Sequence, residues 1–293
     1  MKRRFICILL LIMSILSVSC SNTTNITEDY VSPTILPSGT DITTKGTLIW
    51  ELIESQSADI NNDGKDEEVN LYTYERRYKI CIDDSEYVFE FNSSNGMDIS
   101  VIKIIKFISL ANNQKGLLLG LMSEPGVGIP SEGDTPAYWY DYSFMVIGYD
   151  DGEFSILLDG INMPFNKDDN FKIKYLGEYI LSFEDSYTGF FAEYAASLYK
   201  SVDDSKSRLE TINDRGTSLV SNNYFNIRAQ DTDFDGIDEI IASKYIPGLY
   251  HADALGIVEY KFAYQEGYYK LSEESLLYDG VDGFKEIKKM ELQ

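Results

Sequence analysis

From residue 46 onward the chain is dominated by runs in which apolar and polar residues alternate with period two, the pattern of half-buried β-strands. Three pairs of such runs are separated by short turns. Residues 78–82 and 87–91 flank Asp83, Asp84 and Ser85; 144–149 and 154–158 flank Asp150, Asp151 and Gly152; 257–264 and 268–271 flank Gln265, Glu266 and Gly267. Each pair is predicted as a β-hairpin, and the Asp-Gly of the second supplies the positive backbone angles that a tight hairpin turn requires. Residues 69–74 and 240–246 read as single strands, and 171–194 as further strand-like sequence.

Two of these strands follow an unusual stretch. Asp231, Asp233 and Asp235 stand at alternate positions with Gly236 directly after them, and Asp59, Asn61 and Asp63 are followed by Gly64 in the same way. Carboxylates crowded like this repel, at roughly 3 kcal/mol per pair for ~5 Å and an effective dielectric of ~20. A hard cation relieves the repulsion. Calcium takes about six to eight oxygens, and a loop with side chains at positions one, three, five and nine and a carbonyl at seven supplies most of them. In the first loop those groups are Asp59, Asn61, Asp63, the carbonyl of Lys65, and Glu67; in the second they are Asp231, Asp233, Asp235, the carbonyl of Ile237, and Glu239. Gly64 and Gly236 permit the positive φ that folds each loop. An EF-hand would need Glu at the twelfth position and a helix beyond, but Asn70 and Ala242 stand there and a strand follows. An Asx-rich turn that binds nothing uses the same residue types; recurrence of the whole pattern favours metal. A third stretch, 109–119, has the shape of the loop without its acids, and no metal is expected there.

The chain thus repeats loop, strand, connection and hairpin, and four-stranded units of this kind build β-propeller blades. The expected fold is all-β and propeller-like, partial or small because so few units are few for closure, with a β-sandwich as the alternative. The two Asp-x-Asp/Asn-x-Asp-Gly-x-x-Glu loops, each ahead of an apolar strand, resemble the FG-GAP or VCBS repeats of integrin-type propellers. That resemblance implies calcium held between blade strands by the loop residues named above. Family loops often carry Asp at position nine, where this chain has Glu67 and Glu239. The resemblance is close over the two loops and their strands and loose elsewhere. It implies a scaffold with a calcium site and no particular activity.

The first residues bear on where such a domain resides. Lys2, Arg3 and Arg4 precede an apolar run over 5–18, followed by Ser19 and Cys20. The run is short for a membrane span and fits the apolar region of a secretory signal. Its end resembles the bacterial lipoprotein signal, in which the Cys after small residues receives a lipid and becomes the mature N-terminus. Ser17 stands where that family prefers Leu, so ordinary cleavage and an uncleaved anchor are the competing outcomes. Residues 1–19 are expected to be a signal peptide, 20–45 a disordered tether rich in Ser, Thr, Asn and Pro, and 46–293 the calcium-loop β domain. The expected place is the extracytoplasmic face of a bacterial cell membrane, with the lipid on Cys20 as the membrane contact. Cys7 leaves with the signal, so Cys81 has no cysteine partner within one mature chain. A formal charge of −23 argues against nucleic acid as a partner.

Little else points to chemistry. His251 is the only histidine, which rules out a His-rich zinc site, and no Gly-x-Ser-x-Gly elbow is present for a Ser-His-Asp arrangement. It is expected in a surface loop. Asp and Glu total 48, too many for sequence to single out a glycosidase-like pair. Tyr138, Trp139, Tyr140 and Tyr142 follow a Gly- and Pro-rich stretch, where aromatic rings are platforms for sugars or proteins; in a β-rich chain such rings also pack on sheets. The expected function is a non-enzymatic, calcium-binding surface lipoprotein with a binding or structural role toward a glycan or protein. The competing class is a secreted hydrolase that uses carboxylates on cell-wall or environmental glycans.

Overall fold

The computed structural model describes residues 49–75, 77–90, 99–123, 126–127, 138–139, 142–163, 170–196, 199–200, 205–215, 224–247, 254–280 and 283–292. The described residues are largely strands, arranged as antiparallel sheets that follow one another along the chain, and none closes into a barrel. The first sheet is the meander β1 (Glu51–Ala58), β2 (Glu67–Tyr74), β3 (Arg77–Ile82) and β4 (Ser85–Glu90). The second orders β5 (Ile99–Ser109), β6 (Lys115–Ser123), β9 (Tyr142–Asp150) and β10 (Glu153–Asp159). Between β6 and β9 runs a two-stranded ribbon of β7 (Gly126–Val127) and β8 (Tyr138–Trp139). The third sheet is β11 (Phe171–Gly177), β12 (Ile180–Asp185) and β13 (Phe190–Ala195), followed by the short helices α1 (Ser205–Glu210) and α2 (Ile212–Arg215). The last has five strands, β14 (Asn226–Gln230), β15 (Glu239–Pro247), β16 (Ala254–Gln265), β17 (Tyr268–Gly280) and β18 (Gly283–Glu291).

The three predicted hairpins are β3–β4, β9–β10 and β16–β17. Positive φ stands at Asp151 and Gly152, as the Asp-Gly pair predicts, and also at Asp83 and at Glu266 and Gly267. Such turns match the right-handed twist of the strands they join.

The apolar pattern decides which sheets are covered. β6 and β9 read as nearly unbroken apolar runs, and the second sheet is buried on both faces along these two central strands. Leu117, Leu119, Leu121, Met145 and Ile147 pack with Val69, Leu71, Ile80 and Ile82 of the first sheet. Leu118, Phe144, Val146 and Leu158 join a second cluster with the third and last sheets. A bulge between Ile104 and Lys106 switches the alternation of β5, so Ile104 faces the first cluster and Ile108 the second. The outer strands of the third sheet, β11 and β13, alternate instead, while β12 also buries Ser182. In β13, Phe190, Ala192 and Tyr194 are buried while Phe191, Glu193 and Ala195 are exposed, so its other face meets water. Leu209 and Ile212 of the helices add to the second cluster, and Asn213 Nδ2 and Oδ1 bond the Tyr175 carbonyl and amide at a bulge of β11.

The connections that matter for function join the first two strands of the first, second and last sheets. The β1–β2, β5–β6 and β14–β15 loops each join a first strand to a second, and hydrogen bonds link them in series. Lys115 N donates to Ile60 O at 3.1 Å, and Asp238 N donates to Ser109 O at 2.9 Å.

Candidate metal centre

Residues 59–66 and 231–238 are the β1–β2 and β14–β15 loops, and they fold alike. Position six donates its amide to the carboxylate at position one: Gly64 N to Asp59 Oδ2 at 3.1 Å, and Gly236 N to Asp231 Oδ2 at 3.0 Å. Position seven donates to position five: Lys65 N to Asp63 Oδ1, and Ile237 N to Asp235 Oδ1, both at 2.8 Å. Position five donates to position three, from Asp63 N to Asn61 Oδ1 at 2.9 Å and from Asp235 N to Asp233 Oδ1 at 3.2 Å. Position nine closes the ring, its buried glutamate accepting the amide of position two. Glu67 Oε2 takes Ile60 N and Glu239 Oε2 takes Thr232 N, each at 2.7 Å. Both loops adopt positive φ at positions four and six, at Asn62 and Gly64 and at Phe234 and Gly236. These bonds turn the acidic side chains inward, because each amide recruits an oxygen from the same small arc of backbone.

The result is two groups of carboxylates. Asp59, Asp63 and Glu67 offer oxygens that all lie within 4.8 Å of one another, and so do Asp231, Asp233 and Glu239. Each group can hold a metal ion. Within the second, Asp231 Oδ1 is buried without a hydrogen-bond partner, a costly state for a carboxylate oxygen unless a cation meets it. The donors are hard oxygens throughout, which suits a hard cation rather than a thiophilic one. Asn61 and Asp235, also expected as ligands, sit at exposed positions of the same loops and accept backbone amides. Lys65 and Ile237, expected to offer carbonyls, are held in place through their own amides.

The intermediate connection, 110–114, is shorter and turns through a 3-10 segment at Ala111–Asn113, with Leu110 N bonded to Gln114 O at 2.8 Å. Lys115 begins β6 there, at the place where Glu67 and Glu239 begin their strands.

Two residues that the acidic spacing does not single out complete the second loop. Thr232 donates both its amide and its hydroxyl to Glu239 Oε2. Asp238 is buried and fastens the loop to the second sheet: Oδ2 accepts Ser109 N at 2.8 Å, and Oδ1 accepts Lys106 Nζ at 2.7 Å. Its carbonyl also accepts Tyr269 OH at 2.9 Å. The first loop has no such staple, since its position eight, Asp66, is exposed.

Of the aromatic cluster, Tyr138 and Trp139 form β8, paired with Val127 and Gly126, and Tyr142 opens β9 opposite Met122. Tyr140, His251 and Cys20 lie outside the described residues, as do the segments 1–19 and 20–45 expected to be signal and tether. Cys81 lies on β3, partly buried and with a free thiol. A groove of about 240 Å³ crosses the polar face of the last sheet, lined by Thr232, Glu259, Lys261, Glu273 and Lys289 among others. Its carboxylates are engaged. Glu259 pairs with Arg228 at 2.9 Å, and Glu273 with Lys261 at 3.1 Å and Lys289 at 2.7 Å. Burial works against the Glu273 charge, but the bonds from Lys289 and Lys261 prevail and hold its carboxyl below the usual glutamate range. Comparisons with protein-family models, with curated proteins and with solved structures return no match.

Proposed function

We propose that this chain is a calcium-binding, non-enzymatic surface lipoprotein, in which two loop-held ions brace a stack of β-meanders that serves a binding or structural role. One observation carries the reading: the two loops, far apart in sequence, share one hydrogen-bond frame, and each gathers three carboxylates within 4.8 Å. Calcium is favoured because an all-oxygen set with carbonyls nearby and a flexible loop frame matches its irregular, high coordination, whereas magnesium requires a tighter octahedron. Asp59, Asp63 and Glu67 would hold one ion and Asp231, Asp233 and Glu239 the other. The face-to-face packing of the first and second sheets, with their equivalent loops linked, supports a partial propeller-like arrangement. The solvated face of the third sheet supports a sandwich-like arrangement for that part. Anchoring through a lipid on Cys20, at the extracytoplasmic face of a bacterial membrane, completes the reading and rests on the signal-like N-terminus.

The hydrolase alternative needs a carboxylic acid protonated at working pH in an open site, and the groove on the last sheet offers ion-paired carboxylates instead. Isothermal calorimetry of calcium into the chelator-stripped protein tests the metal reading. Saturable binding that weakens in Asp231→Asn and in Asp59→Asn is expected. Calcium heats no larger than those of dilution would remove it.

A further inference from the structure

Away from the loops, the interface between the third and last sheets buries an unusual set of polar groups. Asp185 ends β12, Lys244 lies on β15, Tyr260 on β16 and Glu274 on β17, and all four are fully buried. Asp185 organises the turn 186–189: Oδ1 accepts Tyr187 N at 2.8 Å, its carbonyl accepts Gly189 N at 2.9 Å, and Oδ2 accepts Tyr260 OH at 3.0 Å. Thr188, in the same turn, accepts Phe190 N at 3.2 Å and donates its hydroxyl to Glu274 Oε2. The turn is therefore tied to the last sheet at two points, through Tyr260 and through Glu274. Glu274 Oε1 is buried with no hydrogen-bond partner.

The charges around Glu274 do not balance. Among the described residues, two carboxyls, Asp185 and Glu274, share the buried region with one ammonium, Lys244, which lies 5.3 Å from the Phe171 ring and 5.0 Å from that of Tyr224. Burial pushes the Asp185 carboxyl up, and bonds from Tyr187 and Tyr260 with the Lys244 charge draw it part of the way back. β18 brings Met290 opposite Glu274, and its Lys288 donates to the Phe191 carbonyl. Tyr260 is itself held neutral by burial and by the Asp185 charge. Leaving a buried carboxylate without a counter-charge costs several kcal/mol, and an apolar side chain of similar volume would avoid that cost. A neutral acid escapes it.

We propose that Glu274 is the proton-sensitive half of a latch that fastens the turn 186–189 to the last sheet: as the neutral acid it accepts Thr188 beside Asp185, and as the carboxylate it sets a second negative charge against Asp185 and loosens the turn. Burial first, and the Asp185 charge second, push the Glu274 carboxyl from 4.5 up to about 8, against the smaller downward pull of the Thr188 bond. The closed latch thus holds a proton that the opened one releases. Its contribution is fully present below about 4.5 and is lost as pH rises through about 8. Across that window the opening constant climbs by up to about tenfold per pH unit, and outside it the constant is flat.

The test uses the full chain and Glu274→Gln, a neutral isostere that cannot titrate. Amide hydrogen exchange at Tyr187, Gly189 and Phe190, corrected for intrinsic rates, should show opening that rises from pH 5 to pH 8 in the wild type and stays level in the variant. Infrared difference spectra should carry a protonated-carboxyl band that disappears with a midpoint near 8 and is missing from Glu274→Gln. Thr188→Val should open the turn already at pH 5 and draw the midpoint of the infrared band below 8, because the opened latch releases its proton. Parallel exchange profiles in wild type and Glu274→Gln, or an infrared band lost by pH 5, would overturn the latch. If Glu274→Gln does not fold, the wild-type band and the Thr188→Val exchange decide the matter by themselves.

Discussion

The two acidic loops place different residues at the same backbone angle, and the difference is measurable. Position four has φ near +60° in both, carried by Asn62 in the first loop and by Phe234 in the second. Asn tolerates this region, because its short polar side chain bonds locally, whereas a bulky aromatic is strained there. Phe234 is also 90 % exposed, so it recovers little from burial. Phe234→Asn is expected to stabilise the protein by about 0.5–1 kcal/mol in urea unfolding, with calcium heats unchanged. Gly236 behaves in the opposite way. Its φ is +90° and a Cβ would meet nothing within 4 Å, so the objection to a side chain is purely conformational. Gly236→Val should cost about 1–2 kcal/mol with every ligand still present. At this scale the site was legible, because like charges at alternate positions before a glycine have few structural reasons. Which oxygens converge was not: Asp63 joins the first group while Asp235, at the same place in its loop, stays outside the second.

Elements were readable in proportion to how local their determinants are. The β9–β10 and β16–β17 hairpins show themselves because Asp-Gly and Glu-Gly fix the turn within two residues. β1, β5, β14 and β18 escape assignment by the strand pattern. β18, GFKEIKKME, has little apolar alternation and is a strand because it pairs along β17, while β5 changes face at a bulge. The short helices α1 and α2 are held by tertiary contacts, with Leu209 and Ile212 buried and Asn213 bonded to β11. Asp238 belongs to the same class, since its partners Lys106 and Ser109 are remote in sequence. It ties the second metal loop to the second sheet, and a buried, charge-assisted set of this kind should weigh heavily. Asp238→Leu leaves the Ser109 amide without its acceptor and the partly exposed Lys106 with only the Ala229 carbonyl, and is expected to cost about 1–3 kcal/mol in urea unfolding. Asp66→Leu, at the equivalent but exposed position of the first loop, should change stability by no more than about 0.5 kcal/mol. Equal effects of the two substitutions would show that the loops are fastened alike.

Across the whole molecule, the acidic balance and the proposed lipid anchor bear on how the chain meets its surroundings. If Cys20 carries a lipid, Cys20→Ala should shift the protein out of the membrane fraction of a bacterial host or leave it unprocessed, and unchanged fractionation with unchanged N-terminal mass would count against the anchor. The charge of −23 raises a separate question, because any salt relieves self-repulsion and so raises stability without a site. Specific ions act differently. At about 100 times its dissociation constant, each bound calcium adds ~2.7 kcal/mol if the unfolded chain does not bind it. For a chain of this size each kcal/mol moves the melting temperature by about 2–4 °C, so two sites should give a shift on the order of ten degrees. Thermal melts should therefore be compared in calcium chloride, magnesium chloride and sodium chloride at equal ionic strength, all against chelator. Screening predicts that the divalent salts act alike, whereas coordination predicts a calcium shift that magnesium does not reproduce. Asp59→Asn and Asp231→Asn each delete one charge, so their effect on screening is equal and small. Their effect on coordination is to remove about half of the calcium shift singly and nearly all of it together, since the two loops share no ligand. A calcium shift that survives in the double variant would mean that the ions act on net charge, and that the loops are turns and not sites.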